Sequence, residues 1–557
     1  MNRHLRSERG VATLIALILI GMLTLLGIAA ITTSEDEVTI TGNEMQEMRA
    51  FYAAEGGLEL AAAALQREYD STGAPPMLMP SGEANYNFCR VGYQVVDDGP
   101  ATQRDLSNGT LAGLHALVKS FSIHATADNT LDNSKVRLSQ SFETALVPIF
   151  QFAVFYGNDL EIAPGPDMTL IGRVHSNGNL YVQANSSLNM DSYVTASGDI
   201  LHGRKGGEPV SSGDVKIKNT DGDYVSMKMG GDFLDADYSD WYDSSVARWG
   251  GRVQDQSHGQ GELNLPLTNS DDPHKLIERA SGNPDSYENL ATLKIIDGVA
   301  TRKMADGTWQ DVTAAMVAAG IITYTENKFY DQREGQWVDA TEIDVEAMYD
   351  NGYAPLNGVA YFSDDIGSST EWPAVRLVNG AEIDDEQGLS MVSENPMYTL
   401  GDFNSVDKKP VSLMADAVTF LSNNWDANNY DSKSTSSKYD RTAAQTTVNA
   451  SYLTGNTETT SSQYNGGFEN LPRFLEVWSN KKFTWSGSAV NLWYSEQADG
   501  NWSGSYYSPP IRDWAYDTDL DDPNKLPPES PVVRIFQRTG WRQDHIDPGI
   551  LAARHDD

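Results

Sequence analysis

The sequence predicts an α+β, mainly β protein: a long N-terminal helix, a small antiparallel sheet, and then a β-solenoid region with insertions. Three observations carry this expectation. An apolar run from Val11 to Ile31 meets no charge until Glu35. Short apolar alternations separated by Gly, Asn and Asp turns fill much of the remaining chain. Between 158 and 200 those alternations recur every twenty residues. Length and composition bound the rest. At 557 residues the chain exceeds one ordinary domain. Asp and Glu number 78 against 40 Lys and Arg, a net charge of −38, which argues against nucleic acid as a partner because phosphate binding needs concentrated cations. Hydrophobic residues at 40% and aromatics at 10% suffice for packed cores and exclude pervasive disorder. A single cysteine, Cys89, excludes an intramolecular disulfide and a cysteine-clustered zinc site, and reads as a small buried hydrophobe.

The N-terminal element comes first. Arg3, Arg6 and Arg9 face one acid, Glu8, and Gly10 precedes the apolar run. A run from 11 to 31 at 1.5 Å per residue spans roughly 30 Å, enough to cross a bilayer core. The arginines place the N-terminus on the cytoplasmic side and everything after Ile31 outside. A secretory signal would be shorter and would end in a small-x-small cleavage site. Here the small residue stands before the span. Beyond the membrane the helix continues, with Met45, Met48, Phe51, Tyr52, Leu58, Leu60 and Leu65 at three- and four-residue spacings and alanines between them. Gly42 is expected to loosen it, and Tyr69-Asp70, Gly73 and Pro75-Pro76 to end it.

A basic leader ending in Gly, followed by a hydrophobic helix, resembles the type IV prepilin class. Val11-Ala-Thr-Leu-Ile-Ala-Leu-Ile, Leu23-Thr-Leu-Leu-Gly-Ile-Ala-Ala, Thr41-Gly-Asn-Glu and Ala50-Phe-Tyr-Ala-Ala-Glu are similar to the N-terminal region of PilX-type minor pilins. The resemblance covers about the first 70 residues. It implies cleavage by a prepilin peptidase between Gly10 and Val11, methylation of the new N-terminus, and a helix that is first an inner-membrane anchor and then the assembly element of a filament. Ile15, Leu19, Leu23, Leu26 and Ile31 are the residues expected to carry that role. Major pilins have Glu at the fifth mature position; counting from Val11, this chain has Ile15. A subunit without that carboxylate suits a tip or an initiating complex better than repetition along a shaft, since a buried unpaired charge would go unanswered. Other pilins and tip proteins are then the implied partners, and a surface ligand or polysaccharide a candidate one. The implied location is the inner membrane before assembly and the periplasm or cell-surface pilus after it.

The chain divides by composition into a leader (1–10), the helix (11–70), an antiparallel pilin-like sheet (71–150), β-solenoid coils (151–204), an insertion (205–355), further coils (356–425) and an aromatic-rich C-terminal region (426–557). In the sheet, Arg90–Val96 forms one strand, while Phe121, Ile123 and Ala125, and then Val136 and Leu138, alternate with polar residues. In the coils, Leu160, Leu180 and Ile200 follow Asn-Asp, Gly-Asn and Gly-Asp pairs, and Leu170 matches Met190, Val174 matches Val194, and Ser176 matches Ala196. Asp311–Ala319 and Ile343–Met348 read as helices inside the insertion, and Asn423–Ser462 as a polar surface loop.

Residues with chemical potential are few. Asn219/Asp221/Asp223, Asp235/Asp237/Ser239 and Asp517/Asp519/Asp521 have the alternate-oxygen spacing of Ca²⁺ loops, the last being the preferred candidate, but none has the glycine and distal glutamate of an EF-hand. No other cofactor is indicated. Phosphate-loop and HExxH motifs are lacking. His175, Asp199 and His202 in neighbouring coils are the residues a polysaccharide-active solenoid enzyme would use. The favoured reading is a non-enzymatic minor pilin acting in filament initiation or at the tip. A minor pseudopilin of a type II secretion system and a membrane-tethered β-helix enzyme are the alternatives.

Overall fold

The computed structural model describes residues 9–207, 211–268, 270–365, 372–433, 438–460 and 462–544. A long N-terminal helix is followed by a mainly β region. The chain forms two compact units, one drawn from the spans 1–101, 119–144 and 536–557, the other from 102–118 and 145–535.

The first unit is built on helix α1, Arg9–Thr72. The helix runs unbroken through Gly42 and ends just past the expected stop. Its buried stripe is Ala50, Ala53, Ala54, Leu58, Ala61, Ala62, Leu65 and Tyr69. Met45, Met48, Tyr52 and Leu60, which the spacing also nominated, are exposed. Alanine wins the inner face because the helix lies close against a sheet. At Gly57 even a methyl group would stand 2.6 Å from Val91 Cγ1 and 3.0 Å from Ala125 Cβ. The sheet comprises β1 (Ser81–Tyr86), β2 (Cys89–Asp97), β3 (Thr102–Asp105), β4 (His115–Asn129), β5 (Lys135–Pro148) and the C-terminal strand Val532–Asp544; β3 and the parts of the last three strands outside 119–144 and 536–544 fall in the spans of the second unit. Its order is β1-β2-β4-β5-C-terminal strand, with β3 beside β4, and β1, β2 and β4 pair antiparallel. Val91, Val95, Phe121, Ile123, Ala125, Val136, Leu138 and Phe142 face the helix, with Cys89 buried among them as a free thiol. The alternation read in β4 and β5 is therefore the inner face of this sheet. The C-terminal strand is an addition to the expected sheet; its sequence stands in the region expected to form its own aromatic-rich part.

In the second unit, β6 (Phe152–Tyr156), β7 (Leu160–Ile162), β8 (Met168–Leu170), β9 (Arg173–Ser176), β10 (Leu180–Val182), β11 (Ser187–Met190), β12 (Val194–Ala196), β13 (Ile200–His202) and β14 (Asp214–Lys218) make three parallel ladders. These are β7-β10-β13, β8-β11-β14 and β6-β9-β12. Leu160, Leu180 and Ile200 are cross-strand partners, as are Leu170 with Met190, Val174 with Val194 and Ser176 with Ala196. The repeated Gly-Asn and Gly-Asp corners have a physical cause. Asp159 Oδ1 accepts from Asn179 N–H and Asn179 Oδ1 from Asp199 N–H, each at 2.8 Å. A Cβ on Gly178 or Gly198 would lie 2.4 or 2.3 Å from those same oxygens. Only glycine leaves room for a corner side chain to reach the next strand's amide.

The segment 205–355, expected as an insertion, is threaded into the ladders. Asp214–Lys218 extends β11, Val253–Gln254 pairs with β12, Leu293–Ile296 with Val359–Ser363, and Gln336–Asp344 with Pro373–Val378. Ile343 and Asp344 belong to that strand, and helix begins only at Val345; the other expected helix is shortened to Thr313–Ala318. Region 426–557 also joins. Ala489–Asn491 pairs with β6 on one side and with Ser451–Thr454 on the other, which in turn pairs with Val411–Ala415. The expected polar loop holds buried Trp425 and Tyr430 and two strands, Thr446–Asn449 and Ser451–Thr454, which pair in parallel with Lys482–Gly487 and with Val411–Ala415 respectively. Trp478, Trp485 and Trp493 are core residues. Local polarity hid these strands because their inward positions alternate with Ser, Thr and Asn that the ladders bury (Ser412, Ser451, Asn491).

Candidate assembly site on the N-terminal helix

Residues Val11–Ile31 of α1 are exposed on every side, with Ile15, Leu19, Leu23, Leu26 and Ile31 between 52% and 66% accessible. Ile15, Leu19, Leu23 and Leu26, at four- and three-residue steps, line one side of the helix. By length and composition this helix can cross a membrane. Its polar atoms are satisfied internally: Thr24 Oγ1 donates to Ile20 O at 2.7 Å, and Thr33 Oγ1 to Ala29 O at 2.8 Å. That is the condition for residence in lipid. Gly10 and Val11 lie in the first turn of the helix, which begins at Arg9. Leader residues Arg3, Arg6 and Glu8 lie outside the described residues.

The distal half of α1 is fixed to its own sheet. Asn129 Nδ2 donates to Gln46 Oε1 at 2.9 Å, tying the helix to the end of β4. Tyr69 Oη and Thr144 Oγ1 are hydrogen-bonded at 3.1 Å. On the flank nearer the C-terminal strand, Arg538 Nη2 donates to Glu59 Oε2 at 2.6 Å in a forked pair, which holds the Glu59 carboxyl below its ordinary range. On the opposite flank a groove of about 740 Å³ runs between the helix and the β1–β2 hairpin, lined by Tyr52, Ala53, Gly56, Leu60, Tyr86 and Val91 among others. One helix thus has two chemistries: a bare apolar half, and a half sunk into an alanine-lined seat. Sequence reasoning found the helix but missed Phe536, Arg538 and Trp541, whose only local signal is a strand-like run carrying arginines in an acidic chain.

The remaining candidates do not converge. Asp517 and Asp519 hold Lys408 at 2.7 and 2.8 Å, Asp519 also holds Lys525 at 2.8 Å, and Asp521 accepts from Tyr516 Oη at 2.8 Å. The two lysines pull Asp519 down to about 2. Carboxylates already neutralised by ammonium groups present little charge to a dication. In the other two loops, Asn219 Oδ1 and Asp235 Oδ1 accept backbone amides of their own turns. Among the described residues, no three His, Cys, Asp or Glu side chains are grouped to hold a metal ion. His175 is fully buried between Thr195 Oγ1 at 2.8 Å and Asn177 Oδ1 at 2.9 Å, and burial pushes it down to about 4. His202 stacks on Phe233, and Asp199 accepts from Gln256 Nε2 at 2.7 Å. His175 and Asp199 are thus occupied where they stand, while the buried ring nitrogens of His202 have no hydrogen-bond partner among the described residues.

The PilX N-terminal family model matches residues 9–59. No curated protein matches the chain. The crystal structure of the competence-associated pilin ComZ from Thermus thermophilus aligns over 90% of this chain and 98% of its own, at 12% identity and a TM-score of 0.28. A score that low carries no argument about the fold. The N-terminal region of the chain is type IV pilin-like.

Proposed function

We propose that this protein is a minor pilin: a non-enzymatic subunit whose bare N-terminal helix anchors it in the inner membrane and then packs among the helices of other pilins. The observation that carries the reading is the continuity of α1, apolar and uncovered from Val11 to Ile31 and seated on its own sheet from Ala50 to Tyr69. A helix released from lipid exchanges acyl-chain contacts for close packing against other helices. Prepilin peptidase trims the chain after Gly10. Ile15 at the fifth mature position suits a tip or initiating place, because there the missing carboxylate has no neighbour to satisfy.

The exported part is a β-solenoid in this reading. Support comes from parallel ladders whose partners stand twenty residues apart, and from the Asp159–Asn179–Asp199 corner chain that joins successive strands. Such a stack displays a large surface beyond the filament for contact with a surface, a saccharide or another tip protein. Bound Ca²⁺ has no part in it, as Lys408 and Lys525 already answer the carboxylates of the preferred loop. The test is Gly10→Val in the native host, with sheared surface fibres collected. Wild type is expected trimmed and present in the fibres, and the variant untrimmed and absent. Wild type held in the periplasm and missing from fibres would favour a secretion pseudopilin. Release of sugar products by the purified chain would overturn the non-enzymatic assignment.

A further inference from the structure

We propose that the C-terminal strand is a closing strap, so that the pilin-type unit becomes competent for assembly only after the exported chain has been threaded through residue 544 and the strap has docked. The incorporation step rests on the minor-pilin reading; the closure does not.

The strap holds the unit at four places. Phe536 sets its ring edge-on to Tyr69 with centroids 5.7 Å apart and lies 5.8 Å from Phe142. Arg538 forks onto Glu59. Trp541 meets Phe51 at 5.7 Å. Asp544 accepts from Ser139 and lies 3.6 Å from Arg137. The anchors therefore touch α1 at 51, 59 and 69 and β5 along 137–142, one flank of the helix from end to end of its seat. Tyr69 and Phe142 are 3% and 4% exposed. Phe536 is part of their cover, and without it two large rings lose an aromatic neighbour.

Chain order makes this a device rather than ordinary packing. Helix α1 and strands β1 to β5 are complete by Pro148, but the strap begins at Val532. Between Ala145 and Ile535 the chain builds most of the second unit. A chain stalled anywhere in that span lacks the strand at the sheet edge, and its helix seat stays open on one flank. The strap is also separable by design. It is an edge strand exposed from Arg538 through Gln543: its first residues, Val533 and Ile535, are buried in the second unit's core, and beyond them its side-chain hold is Phe536, Arg538, Trp541 and Asp544. An assembly process that selects subunits by a firmly seated helix would thereby reject incomplete chains.

The experiment uses the full chain in detergent and in its native host. Phe536→Ala/Arg538→Ala is compared with wild type, with the conservative Phe536→Leu/Arg538→Lys, and with Trp309→Ala, an exposed position in the second unit. Hydrogen exchange is read over peptides spanning 50–69 and 180–200, and recovery in sheared fibres is read at equal membrane level. The double alanine variant is expected to exchange about tenfold faster or more in 50–69 and unchanged in 180–200. Its fibre recovery is expected to fall at least about tenfold, with the conservative pair restoring most of both. Unchanged exchange in 50–69 overturns the strap. Faster exchange with full fibre recovery overturns the gate while leaving the minor-pilin reading intact. Protected 50–69 amides in a wild type that never reaches fibres overturns that reading, and the gate with it.

Discussion

The adjacent glycines of α1 offer a direct test of how the helix sits. Gly57 faces the sheet: a Cβ there would meet Val91 Cγ1 at 2.6 Å and Ala125 Cβ at 3.0 Å. Carbon atoms prefer roughly 3.5–4 Å, so Gly57→Ala must push helix and sheet apart by close to an ångström. Overpacking of that kind costs about 1–3 kcal/mol, and better helix propensity returns about 1. The net expectation is a loss of up to about 2 kcal/mol. Gly56 faces the groove, where a Cβ would meet nothing within 4 Å. Gly56→Ala should therefore gain about 1 kcal/mol. The two variants differ by one methyl group at neighbouring positions, so helix propensity cancels between them. Their separation, about 1–3 kcal/mol, isolates the packing. Hydrogen exchange of the 50–69 amides in detergent reads it as a several-fold to hundredfold difference in rate, about tenfold per 1.4 kcal/mol. Equal protection in the two variants would refute the seat described for α1.

Other parts of the molecule make further predictions. Glu476 is fully buried and accepts from Ser422 N–H and Oγ–H at 2.7 and 2.6 Å, yet burial raises it from 4.5 to about 7. A carboxyl raised on folding adds stability below about pH 4.5 that is lost as pH climbs through about 7, an effect of order 3 kcal/mol. Denaturant melts between pH 4.5 and 7.5 should show the loss, and Glu476→Gln should flatten it; an unchanged slope contradicts the assignment. Burial opposes charge on His274, but Asp416 and Glu278 outweigh it and raise it to about 9, so its contribution is complete below 6.5 and fades as pH passes about 9. His274→Gln should remove that alkaline limb, as read by thermal melting. Millimolar Ca²⁺ should leave the melting temperature of wild type unchanged, because Lys408 and Lys525 occupy the preferred loop; a rise with Ca²⁺ would show that a cation displaces them. Ile15→Glu should leave trimming after Gly10 intact, and accumulation of uncut precursor would overturn the reading of that position.

Elements specified by neighbours in sequence were legible. The apolar run of α1, the alternation of β4 and β5, and the twenty-residue register of Leu160, Leu180 and Ile200 each announce themselves within a short window. What depended on distant pairing was not. Nothing near Phe536 or Arg538 says that they belong beside Tyr69 and Glu59, because the pairing spans nearly the whole chain. After β12 the ladder continues into Val253–Gln254 rather than into a strand one repeat further on, so the run of successive repeats breaks off at an apparent insertion, and at its other end β6 pairs with the distant Ala489–Asn491. On α1, spacing named Met48 and Tyr52, but close approach to the sheet selected Ala50, Ala53 and Ala54 instead. Candidate ligand loops failed for a further reason: alternate carboxylates are visible in sequence, whereas the Lys408 that neutralises Asp517 comes from a segment more than a hundred residues earlier.

The most direct measurement is intact-mass and terminal-peptide analysis of the protein recovered from cell envelopes. A chain that starts at methylated Val11 bears out the anchor-and-assembly helix. One that keeps Met1, or whose first residue lies beyond Ile31, contradicts it.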